Sequence, residues 1–217
     1  MANVGQQLDT PAIPTLASSS NSYSQDLQNQ NNSVTRTFFT KLINVVSNLV
    51  GRNGGRYLNN PYGAFQDSTD QVAANTTTAY AVTFNTTDFS NGVTIASSSR
   101  ITVAYSGIWN LQFSIQFTNT TNASQDVDVW FKKNGTNIDN SNSRFGFAPR
   151  KGVGDPYHTI AAMNFFVSMN ATDYIEIMWR TTDTGVQIEQ YAAGTSPTRP
   201  TIPSAIVTMS FVSNLTT

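Results

Sequence analysis

The chain has 217 residues, a formal net charge of -1 and no cysteine. This balance leaves no basic excess to pair with phosphates, so it argues against a nucleic-acid partner held by electrostatic attraction. The lack of cysteine excludes disulfides, thiolate metal sites and a cysteine nucleophile, and nothing in the composition predicts a cofactor.

The beginning of the sequence lacks the basic start and apolar run of a signal peptide. No stretch reaches the roughly 18 apolar residues that a membrane span requires. We therefore expect synthesis in a cytoplasm and no membrane insertion.

Residues 1–21 are predicted to form an extended arm. Two prolines oppose a helix, and residues 18–21 are a polar run typical of a loop. Ordered against a partner, the arm would act as an anchor; alone, it would be a disordered tail. The apolar side chains that would fill pockets on the partner are Val4, Leu8, Ile13 and Leu16.

Residues 22–51 are the best helix candidate in the sequence. Ser22 and Gln25 fit a capping box at the start, and Gly51 suits the C-cap position at the end. The apolar residues fall into two adjacent seams, each spaced 4, 3 and 4 residues apart. The first seam is Phe38, Leu42, Val45 and Leu49, and the second is Phe39, Ile43, Val46 and Val50.

Two seams suit a helix that meets two neighbours, as in a bundle of three or more helices. A single helix lying on a domain usually needs one stripe. The seams therefore favour a trimerisation helix, with packing of the helix under the following domain as the alternative. Residues 52–77, rich in glycine at their start, are predicted to form a linker.

Residues 78–217 are predicted to form one all-β domain. Between Trp109 and Phe117, apolar and polar residues alternate, which is typical of a half-buried antiparallel strand. Asn134 and Gly135 suit a two-residue hairpin turn. Eight strands without intervening helices predict two packed antiparallel sheets. The predicted strands cover residues 78–84, 100–105, 109–117, 126–133, 158–168, 172–179, 185–191 and 204–212.

Several segments resemble the C1q/TNF-like jelly-roll family. Residues 105–113 read YSGIWNLQF and resemble that family's strand with a Gly-x-Tyr-x-Phe core, with Trp109 in place of the tyrosine. Residues 127–135 read VDVWFKKNG and resemble its strand that ends in Lys-Asn-Gly before a hairpin. Residues 166–173 and the closing strand at 204–212 resemble later parts of the same family. The likeness covers about residues 78–212.

The resemblance implies an antiparallel jelly-roll β-sandwich that forms a compact trimer, often carried on an N-terminal stem. Here an extended arm and one α-helix precede it. Residues 60–71, NPYGAFQDSTDQ, are similar to lead-ins of such domains in tailed-phage structural proteins. The sequence has no Gly-x-y run, no cysteine and no signal peptide, which favours a phage or viral member over an animal extracellular one.

Candidate sites for chemistry are few. Asp126 and Asp128, two apart on one strand, are weak candidates for a metal, although exposed acids are more often simply solvated. His158 is the sole histidine and lacks a nucleophile motif. Trp130 and Tyr191 could stack on sugar rings or lie in a subunit interface. A basic loop around Arg144, Arg150 and Lys151 could contact an acidic partner or a glycan, or be solvated.

The leading hypothesis is a non-enzymatic virion protein, made in a host cytoplasm. It would be a trimeric fibre or decoration protein, anchored through residues 1–21 to other virion proteins, with the jelly roll projecting outward. The alternative is a module that binds a host-surface glycan or protein. A polysaccharide-degrading enzyme is a third reading, but such an enzyme needs two well-placed carboxylates, and the sequence offers no convincing pair.

Overall fold

The computed structural model of the chain describes residues 12–18, 22–50 and 60–214; of residues 48–50 it describes the backbone alone. The chain divides into two compact units, one ending at Asn59 and the other beginning at Asn60. In the described ranges no helix is long and apolar enough to cross a membrane.

The first unit contains helix α1 (Gln25–Val50). The helix is capped by Ser24, whose Oγ accepts a hydrogen bond from the Leu27 amide at 3.4 Å. The cap therefore lies two residues beyond the predicted Ser22. Asp26 in the first turn complements the positive end of the helix dipole.

The residues before the helix turn back along it. The Ala17 amide donates to Asn31 Oδ1 at 3.0 Å, and Asn31 Nδ2 donates to the Ala17 carbonyl at 3.3 Å. Residues 12–14 and the helix face around Val34 and Phe38 line a cavity of about 330 Å³. This part of the predicted arm therefore contacts the chain's own helix.

The second unit is built of strands. In chain order they are β1 (Tyr62–Asp67), β2 (Gln71–Val72), β3 (Tyr80–Ala81), β4 (Thr86–Asn91), β5 (Val93–Ala96), β6 (Arg100–Val103), β7 (Gly107–Asn119), β8 (Gln125–Lys133), β9 (Thr136–Asn137), β10 (Ser143–Phe147), β11 (Tyr157–Met169), β12 (Tyr174–Thr181), β13 (Val186–Ile188), β14 (Gly194–Thr195), β15 (Thr198–Arg199) and β16 (Ala205–Ser213).

Sheet A is organised around β7. One edge of β7 pairs along its whole length with β11, and the other edge pairs with β16 and, at its end, with β13. Beyond these strands, β1 pairs with β16, β4 with β1, and β2 with β13. These pairs are all antiparallel, and β11 forms one edge of the sheet.

Sheet B has the strand order β10, β8, β12, β6, β5. Two short strands complete it, because β9 pairs with β8 and β3 pairs with β12. These pairs are antiparallel as well. A separate two-stranded hairpin is formed by β14 and β15.

The two sheets pack on one hydrophobic core. Alternation along the strands points Trp109 and Phe117 inward from sheet A, and Phe131 and Trp179 inward from sheet B; all four are essentially buried. The Phe117 and Trp179 rings lie edge to face with centroids 5.7 Å apart, which joins the sheets directly. The second unit is thus mainly β with the arrangement of a sandwich, as the alternation predicts.

The structure confirms one detail of the predicted organisation and contradicts another. The Asn134–Gly135 hairpin is confirmed, since both residues have positive φ (48° and 83°) between β8 and β9, as a type I′ turn requires. The predicted linker at residues 52–77 is wrong for residues 62–72, because β1 lies there between β16 and β4 in sheet A, followed by β2. Phe65 of β1 is part of the hydrophobic core. Residues 52–59 of the predicted linker lie outside the described residues.

Candidate functional site

The outer face of sheet B carries a polar cluster on three neighbouring strands. Because β8 alternates, Val127 and Val129 enter the core while Asp128 faces out. The strand register places Asp128 opposite Arg144 on β10 and opposite Arg180 on β12. Cross-strand neighbours of this kind are close enough for side-chain contact.

Asp128 forms ion pairs with both arginines. Arg144 Nε donates to Oδ1 at 2.7 Å and Nη2 to Oδ2 at 3.1 Å, while Arg180 Nε donates to Oδ2 at 2.8 Å. The hydrogen bond from Arg144 lowers the pKa of Asp128 against the opposing effect of its burial, and Arg180 lowers it further. The same contact raises the pKa of Arg144.

These contacts change the interpretation of the two predicted metal candidates. The Asp128 side chain is only 6% exposed, so it is not the solvated acid that the sequence suggested. Both of its oxygens face guanidinium groups, which a cation would have to displace. In the described ranges no group of three or more His, Asp or Glu side chains is placed to hold a metal ion. Arg144 likewise lies in β10 and not in a basic loop.

Next to this ion-pair cluster, Trp130 borders an open cavity of about 310 Å³. Asp128 of β8 and Arg180 of β12 also line it. Asn137 of β9 and the loop after β9 provide the rest of the lining, namely Ile138, Asp139, Asn140 and Asn142.

The cavity wall is held in place by hydrogen bonds. The Trp130 indole N–H donates to Asn137 Oδ1 at 2.9 Å, which fixes the plane of the ring. Ser141 Oγ accepts from the Phe131 amide at 3.1 Å and donates to the Ile138 carbonyl at 2.7 Å. Ser141 is buried, so this hydroxyl ties the loop to β8. The cavity is therefore preformed.

A second polar cluster surrounds His158, which is exposed on the edge strand β11. Its Nδ1 lies 2.7 Å from the Tyr191 hydroxyl and 3.2 Å from the Thr118 hydroxyl. Both hydroxyls donate to Glu189 Oε2, at 2.9 Å and 2.5 Å. Burial, together with the Glu189 carboxylate, raises the pKa of Tyr191 to about 12.

This cluster does not have the geometry of a catalytic triad. In a triad the carboxylate contacts the imidazole, and the imidazole contacts an accessible nucleophile. Here Glu189 contacts the two hydroxyls, and Thr118 is only 1% exposed. The hydrogen bonds of this network connect β7, β11 and the segment after β13 to one another.

The outer face of sheet A is a third surface, and three adjacent strands of it, β11, β7 and β16, contain no charged residue. The sequences of β7, β11 and β16 contain no Lys, Arg, Asp or Glu. Three large apolar side chains are exposed on this face, namely Ile160 and Phe166 of β11 and Ile206 of β16.

On helix α1 the two predicted seams differ in exposure. Phe38, Leu42 and Val45 of the first seam are half-buried, whereas Phe39, Ile43 and Val46 of the second are exposed. The side chains of Leu49 and Val50 lie outside the described residues.

Of the predicted arm anchors, Ile13 is 90% exposed and Leu16 is also exposed. Val4 and Leu8 lie outside the described residues.

The structure brings together three residues that the sequence singled out separately, namely Asp128, Trp130 and Arg144. Sequence reasoning missed Arg180 and the amides at Asn137, Asn140 and Asn142. Alternation in β12 could have placed Arg180 outward, but the loop residues carry no pattern of their own.

No family model matches the chain, and no curated protein matches it at a significant level.

Proposed function

We propose that this chain is a virion structural protein, a homotrimeric fibre or decoration protein of a tailed phage. Its second unit would be a C1q/TNF-like jelly roll that projects from the particle. Its N-terminal residues would attach it to another virion protein. The role is structural and needs no enzyme activity.

The strand order supports the jelly-roll assignment. The main strands of sheet A run β11, β7, β16, β1, and those of sheet B run β10, β8, β12, β6. Apart from the step from β8 to β10, each of these strands follows one in the opposite sheet. This gives the two four-stranded sheets expected of an eight-stranded jelly roll.

The lack of charged residues in the three adjacent strands β11, β7 and β16 of sheet A is the observation that carries the oligomer. Burying a charge without a partner costs several kcal/mol, so the centre of a subunit interface is depleted of charge. A face free of charged residues on three adjacent strands can pack against its own copies without that penalty. Exposed Phe166 and Ile206 supply apolar area for the contact.

Helix α1 supports three subunits in preference to two. Each helix of a trimeric bundle contacts two neighbours, so it needs two apolar seams. The exposed seam of Phe39, Ile43 and Val46 beside the half-buried seam provides them. Exposed Ile13 and Leu16 are available for the attachment, and a trimer makes three weak attachments act together.

The native mass of charge-inserting variants tests the interface. Phe166→Asp and Ile206→Asp would place carboxylates in it, so we expect native mass spectrometry to show loss of the trimer. Val153→Asp is the matched control, because Val153 is 91% exposed in a loop. The same variants are also made in a chain that begins at Asn60 and so lacks helix α1; trimers of that chain that persist in both variants as strongly as in its parent would exclude this face.

The virion assignment has its own test. Antibody raised against the chain should label purified phage particles in electron micrographs at a fixed position. Unlabelled particles from a culture that expresses the chain would contradict the assignment. Binding of a host-surface glycan is the second candidate function, and the cavity beside Trp130 favours it.

A further inference from the structure

We propose that the cavity beside Trp130 binds one pyranose ring of a neutral glycan. This site lies within a single chain on sheet B, so it does not depend on the oligomer proposed through sheet A. The argument rests on the aromatic wall, the uncommitted polar groups, the balance of charge and the rigidity of the site.

The aromatic wall is an indole whose orientation is fixed. Trp130 is half-buried, and its N–H is held by Asn137, so the polar edge of the ring is satisfied within the protein. What the ring offers a ligand is its electron-rich apolar face. The C–H face of a pyranose is flat and apolar, and it can stack on such a surface while its hydroxyls point to the sides.

The polar groups around the ring are suited to hydroxyls. The side chains of Asp139, Asn140 and Asn142 are exposed in the loop after β9, and within the described ranges none of them has a hydrogen-bond or ion-pair partner. Each amide offers two donors and a carbonyl acceptor, and a carboxylate offers acceptors. A sugar hydroxyl both donates and accepts, so this mixed set matches it better than it matches a simple cation or anion.

The charges around the cavity point to a neutral ligand. Arg180 and Arg144 carry two positive charges, and Asp128 and Asp139 carry two negative ones, so the formal sum is zero. Arg180 is already bonded to Asp128, which reduces its attraction for an anionic ligand. A uronic or sialic acid therefore has no dedicated partner here.

The size and rigidity of the cavity suit one ring. Its volume of about 310 Å³ is at the lower limit of ordinary small-molecule sites. The bonds from Ser141 and Asn137 hold the loop and the indole before any ligand arrives. A preformed wall reduces the ordering cost of binding. We expect affinity on the order of millimolar, because one sugar ring in an open site gains only about 0.3 kcal/mol per non-hydrogen atom.

The indole N–H signals of the full-length ¹⁵N-labelled chain give a direct test. The chain has three tryptophans, and Trp109 and Trp179 are buried in the core. The signal of Trp130 is assigned from its loss in Trp130→Phe. The probes are the methyl pyranosides of glucose, galactose, mannose and N-acetylglucosamine, each titrated to tens of millimolar. Sorbitol, which has hydroxyls but no ring, and methyl glucuronide serve as comparisons.

We expect at least one methyl pyranoside to shift the Trp130 signal saturably while the other two indole signals stay in place. Sorbitol should not shift it, and methyl glucuronide should bind more weakly than methyl glucoside. Asp139→Ala and Asn142→Ala should weaken binding about two- to tenfold, as expected for the loss of one hydrogen bond. Asn122→Ala, an exposed asparagine in another loop, should leave binding unchanged.

Three results would overturn the proposal. The first is a Trp130 signal that no pyranoside shifts. The second is an equal response to sorbitol, which would remove the stacking argument. The third is tighter binding of the glucuronide than of the glucoside, which would make the site an anion site.

Discussion

Removing the charge of Asp128 is the sharpest test of the outer face of sheet B. In Asp128→Asn the carbonyl oxygen can still accept from one guanidinium. The new amide group would point its own donors at the other guanidinium. The variant therefore keeps the shape of the side chain, loses both ion pairs and keeps hydrogen bonding to only one of the two guanidinium groups.

The size of the effect follows from burial and exposure. A hydrogen bond to a charged group contributes about 1.5–3 kcal/mol when its partners are buried. The side chains of Arg144 and Arg180 are 59% and 40% exposed, so water can solvate them again once the carboxylate is gone, and exposed ion pairs contribute much less. We expect Asp128→Asn to lower the free energy of unfolding by about 1–2 kcal/mol.

The assay is urea denaturation at fixed protein concentration, with Asp126→Asn as the matched control. Asp126 lies on the same strand and face but forms no ion pair within the described residues, so its variant should stay within about 0.5 kcal/mol of the parent protein. Similar loss in both variants, or no loss in either, would refute the role given to Asp128.

The pH dependence adds an independent check. The pKa of Asp128 is lowered in the folded protein, so its contribution is present above the unfolded value of about 3.9. The contribution is lost as the pH falls through the lowered folded value. The difference between parent and variant should therefore shrink in acid, and a difference that grows there would contradict the assignment.

Three further predictions concern the core, the hairpin and the helix. Phe131→Ala should lower the free energy of unfolding in urea by about 3–5 kcal/mol, whereas Phe89→Ala, at an exposed position, should have an effect below about 1 kcal/mol; equal losses would contradict the assigned core. Gly135→Ala should lower the free energy of unfolding in urea by about 1–2 kcal/mol because of its positive φ. Gly152→Ala, where a Cβ meets open space, should leave that free energy unchanged. Leu42→Asp should weaken the trimer in native mass spectrometry, and an unchanged mass would show that this seam does not pack between subunits.

The strands that sequence predicts best are those with one buried and one solvated face. In β7 the side chains from Trp109 to Phe117 alternate strictly, because the odd positions fill the core and the even ones face out. The period of two therefore reports the burial directly. The sequence predicts the hairpin at Asn134–Gly135 equally well, since few residue pairs adopt positive φ at both positions.

The strands that sequence missed lack that alternation. β4 (Thr86–Asn91) is almost entirely exposed, so its composition resembles a loop. The glycine-rich residues before β1 predict a joint, yet β1 is mostly buried and pairs with β16 and β4. Long-range pairing of this kind leaves no local signal, which is also why the register that joins Asp128 to Arg180 could not be predicted.

The candidate cavity shows the same limit. The alternation predicts that Trp130 and Asp128 face outward from one strand, but the loop at residues 138–142 is held beside them through Ser141. A single buried hydroxyl determines that approach, and nothing in the sequence distinguishes it from the many other serines of the chain.

The native mass of the full-length chain tests the central claim most directly. The proposed trimer predicts a mass three times the 23.6 kDa of one chain at micromolar concentration and near-neutral pH. The same measurement on a chain that begins at Asn60 separates the contribution of sheet A from that of helix α1. A full-length chain that stays monomeric across the concentration range would contradict the account.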